Sequence, residues 1–260
     1  MASDFALTGR VAIITGGNGG IGLGMAKALA RASCAVSIWG RNEQKNRDAL
    51  AELSELGAPA EARTCDVTKR AAIEDAFAKT LDAFGRVDGC FANAGVGGVG
   101  QQPFVDRAED DWRRMFATNL DGVFHVFQAS LRHMIKRAKS GDRFGRLVAT
   151  SSIASLFGVP RNEHYAATKA AVNALIRSLA VEHARYGVTA NAILPGWIET
   201  EMTTSLTGNE KFVSAVIPRI PMRRFGEPTD FGGIAVYLMS SLSAYHTADC
   251  LLIDGGYRAF

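Results

Sequence analysis

Short runs of β-branched and other apolar residues alternate along this chain with longer stretches whose apolar positions recur every three to four residues. The short runs predict strands at Val11–Thr15, Ala35–Trp39, Ala60–Cys65, Gly89–Ala92, Arg146–Ser151, Thr189–Leu194 and Cys250–Ile253. The longer periods predict helices near 20–32, 43–56, 69–84, 108–138, 163–185 and 228–240. Strands this apolar are covered on both faces, so the alternation predicts an α/β class: one doubly wound parallel sheet with helices on both sides. No Pro/Gly/Ser-rich linker, repeat or low-complexity tract divides residues 1–260, which read as a single domain. The exception to regularity is Ile198 to Met222, a stretch of the size that forms a lid over a site.

Composition narrows the class. Of 260 residues, 47% are hydrophobic and 21% charged, which excludes disorder, and no repeat matches a collagen or coiled coil. No apolar run approaches the ~18 residues that span a bilayer. The start, Met1-Ala-Ser-Asp-Phe, has neither the basic flank nor the apolar core of a secretory signal, so a cytoplasmic protein is expected. A net charge of +3 spread along the chain gives no footprint for nucleic acid or membrane. The densest basic stretch, Arg132 to Arg146, reads as a solvated helix end, and in a sharper reading as a docking patch for an acidic carrier. Cys34, Cys65, Cys90 and Cys250 stand far apart in apolar surroundings and predict buried free thiols.

Chemistry enters at Thr15-Gly16-Gly17-Asn18-Gly19-Gly20-Ile21-Gly22, between the first strand and the first helix. Glycines let the backbone turn sharply and approach a pyrophosphate, and the helix start offers unpaired N–H groups and a positive dipole. The spacing is Gly-x-x-x-Gly-x-Gly, and no lysine follows as a nucleoside triphosphate site requires, so a dinucleotide is expected in a Rossmann-like fold. The second strand ends in Trp39-Gly40-Arg41-Asn42, with no acid to hold a ribose 2′-hydroxyl and one guanidinium able to grip a 2′-phosphate. This favours NADP (NADPH) over the alternative, NAD.

Tyr165 and Lys169 stand at i and i+4, on one face of a helix. A phenol titrates near pH 10, and a neighbouring ammonium lowers it toward a working proton shuttle. The pair alone is weak evidence. Its weight comes from Ser152, thirteen positions upstream at the carboxyl end of a strand, where open α/β sheets bind ligands. Thr150-Ser-Ser-Ile-Ala154 is not a nucleophile elbow, so Ser152 reads as a hydrogen-bonding group.

With these residues in view, the sequence resembles the short-chain dehydrogenase/reductase family over nearly its whole length. Thr15 to Gly22 is similar to that family's glycine motif, and Asp66-Val67 to the pair that holds the adenine. Asn93-Ala94-Gly95 is similar to its Asn-Asn-Ala-Gly element, with Ala92 in place of the first Asn. Pro195-Gly196-Trp197-Ile198-Glu199-Thr200 resembles the segment that receives the carboxamide, and Arg224 to Pro228 and Asp254-Gly-Gly256 complete the match. The resemblance implies an NAD(P)-dependent oxidoreductase interconverting a ketone or 3-oxoacyl carbonyl and a secondary alcohol. In it Asn119, Ser152, Tyr165 and Lys169 are catalytic, and Ser152 and Tyr165 touch the substrate. Gly16, Asn18, Gly20, Ile21, Gly22, Arg41, Asp66, Val67, Asn93, Tyr165, Lys169, Ile198 and Thr200 are implied to hold the cofactor. It implies a proton relay in which Asn119 holds a water beside Lys169, and a homotetramer built on the 108–138 and 163–185 helices.

Other residues invite plainer readings. His164 points about 100° away from Tyr165 on the helix and suits a solvent or lid contact. His125, His133, His183 and His246 form no ligand spacing, so no metal is expected. Trp112, Phe116, Leu120, Val123 and Phe127 recur at helical spacing and belong to a core or an interface. Trp197 and Glu199 either line the pocket or support its loop. A catalytically silent cofactor-binding regulator, and a lyase or epimerase on the same scaffold, are the remaining alternatives. The lid shows no cluster of cations for an anionic substrate, although Arg161 and Arg219 stand near, so a 3-oxoacyl thioester, a sugar or polyol, a steroid-like ketone and a xenobiotic carbonyl all stay open.

Overall fold

The computed structural model describes residues 5–97 and 102–260; Met1–Asp4, part of the stretch read above for a leader, lies outside them. Seven strands form one sheet in the order β3-β2-β1-β4-β5-β6-β7, all pairs parallel. They are β1 Val11–Thr15, β2 Ala35–Gly40, β3 Ala60–Thr64, β4 Gly89–Ala92, β5 Gly145–Thr150, β6 Val188–Pro195 and β7 Cys250–Ile253. The helices are α1 Gly20–Arg31, α2 Glu43–Ser54, α3 Arg70–Phe84, α4 Glu109–Phe116, α5 Gly122–Lys139, α6 Glu163–His183, α7 Thr204–Thr207, α8 Glu210–Val216 and α9 Gly232–Met239. This is the Rossmann-like doubly wound sheet that the alternation predicts.

Burial explains why the runs become strands. Every residue of β1, β4 and β6 is buried, because helices cover both faces. On one face Ile13, Cys90, Leu147 and Ala190 pack with α3, α5 and α6 through Phe77, Phe127 and Ile176. On the other Ile14, Ile38, Phe91 and Ile193 pack with α1 and α9 through Met25, Leu29 and Leu238. The chain winds outward in both directions from β1 and β4, which makes the gap between their carboxyl ends the topological switch point where such sheets bind ligands.

Two stretches depart from the predicted outline. The helix expected over 108–138 is two helices joined by a π-helical turn, Ala117–Asp121. The irregular 198–222 stretch carries α7, α8 and a 3₁₀ turn at Ile217–Arg219, and packs through Val216 and Ile220 against Ile153, Phe225 and Tyr257.

Of the basic stretch Arg132 to Arg146, Arg132, Lys136, Lys139 and Arg143 are exposed, and only Arg137 and Arg146 are turned inward. Arg137 bonds Asp142 and the Val87 carbonyl and pairs with buried Asp88, while Arg146 is buried against the Phe144 ring. Of the cysteines, Cys34, Cys65 and Cys90 are buried and Cys250 half-buried, and all are free. Burial pushes the Cys65 and Cys90 thiols up to about 12.

Candidate functional site

A cleft of about 710 Å³ runs across the carboxyl ends of the strands, within the size range of cofactor pockets. One end is the glycine turn. Gly16 has φ +64° and Gly20 φ +49°, in the left-handed region that glycine enters without strain. Gly16, Asn18, Gly20 and Ile21 line the cleft, so the open amides of the α1 start are presented to it. Gly22 does not line it. An added Cβ there would come within 2.2 Å of the Gly16 carbonyl oxygen, so Gly22 lets α1 close against the turn. Asn18 Nδ2 donates to Asn46 Oδ1 at 2.7 Å, and Asn46 Nδ2 donates to the Gly40 carbonyl at 3.0 Å. Asn46 was not singled out in the sequence, where it reads as an ordinary polar helix residue.

The next part of the cleft is lined by Gly40, Arg41, Lys45, Asp66 and Val67. Burial works against the Asp66 carboxylate, but the Thr68 N–H and hydroxyl, with the charges of Arg41 and Lys69, hold it below the usual carboxylate range. Lys45 brings a second cation beside Arg41, and it pairs with Glu201 of the 198–222 segment. Ile198 and Thr200 line the cleft from the same segment. The glycine turn, an amide-rich helix start, an adjacent carboxylate and two cations fit a phosphorylated dinucleotide.

At the other end Ser152, Tyr165 and Lys169 come together. Ser152 stands two residues beyond β5 in an extended conformation, and its Oγ accepts from the Ala154 N–H at 3.1 Å. Tyr165 lines the cleft beside Ser152; burial pushes the phenol up and the Ser152 hydroxyl offsets part of the rise. Lys169 lies 5.6 Å from the centre of the Tyr165 ring and donates to the Thr150 carbonyl at 2.7 Å. Burial brings Lys169 down to about 8, while the Thr150 carbonyl holds its ammonium.

Asn119 is fully buried in the π-helical turn. Its Oδ1 accepts from the Val96 N–H at 2.8 Å and its Nδ2 donates to the Val96 carbonyl at 2.9 Å. A Cβ placed on Gly95 would stand 3.3 Å from Asn119 Oδ1 and 3.7 Å from Lys169 Nζ, so Gly95 leaves open the space between them. The Asn119 side chain is therefore committed to fixing the loop after β4 beside Lys169.

Two threonines absent from the sequence reading complete the floor. Thr15 Oγ1 accepts from the Asn93 and Ala94 N–H groups at 3.0 Å, and Thr150 Oγ1 donates to Asn93 Oδ1 at 3.0 Å. Asn93 thereby ties β1, β4 and β5 together without an Asn at position 92, where buried Ala92 continues the strand.

His164 overturns its expected place. It is 1% exposed, with Nε2 3.1 Å from Asp111 and 3.3 Å from Arg107, facing neither solvent nor the lid. Burial and the Arg107 charge lower its pKa while Asp111 opposes them. Trp197 packs edge-on to Phe212 at 5.0 Å and supports the loop, whereas Glu199 is exposed. The Arg219 guanidinium stacks on the Tyr257 ring at 4.6 Å, and Arg161 is exposed. Among the described residues no group of His, Cys, Asp and Glu is placed to hold a metal, and no helix is long and apolar enough to cross a membrane.

Residues 16–258 match the family described as enoyl-(acyl carrier protein) reductase. A 3-oxoacyl-[acyl-carrier-protein] reductase of Chlamydia pneumoniae is 35% identical over 97% of this chain and 98% of its own. A gluconate 5-dehydrogenase of Gluconobacter oxydans is 34% identical over 97% of this chain and 96% of its own. Among solved structures, a gluconate 5-dehydrogenase from Burkholderia cenocepacia in complex with NADP and tartrate superposes with a TM-score of 0.91, at 35% identity over 99% of this chain and 98% of that one.

Proposed function

The chain belongs to the short-chain dehydrogenase/reductase family, and from that footing we propose how its residues divide the work. The protein is an NAD(P)-dependent oxidoreductase, with NADP preferred, that interconverts a carbonyl and a secondary alcohol. The observation that carries the division of roles is the meeting of Ser152, Tyr165 and Lys169 in one cleft with the Gly16–Ile21 turn.

Gly16, Asn18, Gly20 and Ile21 hold the diphosphate through the turn and helix start, with Gly22 allowing their approach. Arg41 takes the 2′-phosphate, Asp66 and Val67 the adenine, and Asn93, Ile198 and Thr200 the nicotinamide end. The bound nicotinamide supplies or accepts the hydride. Ser152 Oγ orients the substrate oxygen, and Tyr165 gives that oxygen its proton on reduction and takes it back on oxidation. Lys169 holds the ribose and returns charge to the phenol when its ammonium turns from the Thr150 carbonyl. Asn119 holds Val96 and Gly95 beside Lys169.

The whole chain works as one domain, with 198–222 as the substrate lid and a cytoplasmic place of action. A homotetramer built on α4, α5 and α6 is supported by apolar side chains exposed on them, Trp112 at 37%, Phe124 at 46% and Val181 at 81%. A monomer by light scattering would overturn that assembly.

The relatives divide between 3-oxoacyl thioesters and sugar acids, so the test offers both. NADPH oxidation is followed at 340 nm with an acetoacetyl thioester and with 5-keto-D-gluconate. Turnover of either supports the reading and assigns the class. NADPH binding without turnover of either carbonyl would overturn it in favour of a silent cofactor-binding module, and no NADPH binding would overturn it altogether.

A further inference from the structure

Tyr165 occupies the third position of α6, in a turn that a helix's own backbone ladder holds least well. The first four amides of a helix have no carbonyl four residues back, and here the ladder opens only at Ala166, whose N–H donates to the Asn162 carbonyl at 3.1 Å. A side-chain cap is the common remedy, worth about 1 kcal/mol. Asn162 supplies none, and its Oδ1 has no partner among the described residues. Glu163 turns its carboxylate back onto the Arg161 N–H at 2.8 Å, a bond within the same segment.

Anchorage comes from another helix. His164, beside Tyr165, presents Nε2 to Asp111 Oδ2 at 3.1 Å and to Arg107 Nη1 at 3.3 Å. Arg107 Nη1 donates to the same Asp111 oxygen at 2.5 Å, and Arg107 Nη2 donates to the Arg161 carbonyl at 2.8 Å. One guanidinium thus grips the backbone before α6 and, with one carboxylate, the ring in its first turn. The Arg107 side chain is 7% exposed, that of His164 0% and that of Asp111 30%, so the contacts at the ring are the ones where water competes least. Asp111 lies on α4, the helix that leads into the turn bearing Asn119, and Met115 of α4 accepts from Asn119 Nδ2 at 3.0 Å. α4 therefore touches both the turn of Tyr165 and the neighbour of Lys169.

We infer that Arg107, Asp111 and His164 are positioning residues that fix the Tyr165 phenol for proton transfer, the histidine joining the ion pair to the uncapped start of α6. The inference rests on the reading of Tyr165 as proton donor. Its force is geometric: a reacting group displaced by about 1 Å can lose on the order of 100-fold in rate.

The test uses the full chain with NADPH and 5-keto-D-gluconate or the acetoacetyl thioester, and hydrogen exchange as a readout independent of turnover. His164→Leu removes both polar contacts at similar bulk, and His164→Gln keeps an amide within reach of Asp111. In His164→Leu, kcat is expected to fall roughly 10- to 100-fold, with KM and the NADPH Kd within about twofold of wild type. Amides Ala166–Lys169 exchange faster in that variant while those of β1 and β5 do not change. His164→Gln restores most of kcat and of the protection. Should His164→Leu fail to fold, Asp111→Asn is read by the same two measurements. Unchanged kcat and unchanged exchange at the start of α6 would overturn the inference. Tyr165→Phe is run alongside. If it keeps full turnover, the reading of Tyr165 falls and this inference with it; if it loses turnover while His164→Leu keeps it, the positioning role alone falls.

Discussion

Lys45 in the first turn of α2 and Glu201 of the 198–222 segment form an ion pair beside Arg41, and both line the cleft. The pair is 44% and 81% exposed, so it adds at most about 1 kcal/mol. It gives the segment a removable attachment at the end of the cleft where a 2′-phosphate would sit. The Glu201 carboxylate and a bound 2′-phosphate would then compete for one ammonium.

That competition has a measurable sign. Glu201→Gln is expected to tighten NADPH roughly two- to threefold at low salt and to leave NADH nearly unchanged, with the gain screened away near 1 M salt. Arg41→Ala is expected to lose about tenfold in NADPH affinity, about 1.4 kcal/mol, again sparing NADH. Fluorescence titration of the two cofactors checks both, and weaker NADPH binding by Glu201→Gln would contradict the competition.

Gly22 is the position of the glycine turn most sensitive to one methyl group. A Cβ would stand 2.2 Å from the Gly16 oxygen, which no side-chain rotation relieves. Gly22→Ala is expected to cost at least tenfold in affinity for both cofactors, whereas Gly19→Ala, with open space around its Cβ, costs far less. Equal affinities in the two variants would remove Gly22 from the account.

Lys169 makes stability depend on pH in an unusual direction. Burial lowers it from the ordinary 10.5 to about 8. Between those values the unfolded chain holds a proton that the folded chain has released, so stability rises with pH across the window and the penalty is fully present below about 8. Lys169→Met lacks this titration. Urea unfolding at pH 7.5, 9 and 10 should show wild type gaining on the variant as pH rises; a pH-independent offset, or wild type losing ground, would contradict the burial of an ionisable lysine.

The sheet was legible because its central strands are largely apolar, as in Val11–Ile14, and the glycine turn follows the first of them directly. The edge strand β3, Ala-Glu-Ala-Arg-Thr, was legible by alternation instead, being only half-buried. The π-helical turn at Ala117–Asp121 was not, because an extra residue in one turn leaves the apolar period on either side almost intact. Thr15 and Thr150 read as β-branched strand residues, and only the pairing of β1, β4 and β5 brings their hydroxyls onto Asn93. His164 shows the same limit. Helical spacing gives the direction of its ring relative to Tyr165, but the packing of α4 decides that Asp111 and Arg107 meet it.

Central to the account is proton transfer by Tyr165, and Tyr165→Phe tests it most directly because the ring and its packing remain. Turnover with NADPH is expected to fall by at least roughly 100-fold, with the NADPH Kd within about twofold of wild type. Turnover that persists at the wild-type rate in a folded, NADPH-binding variant would contradict it.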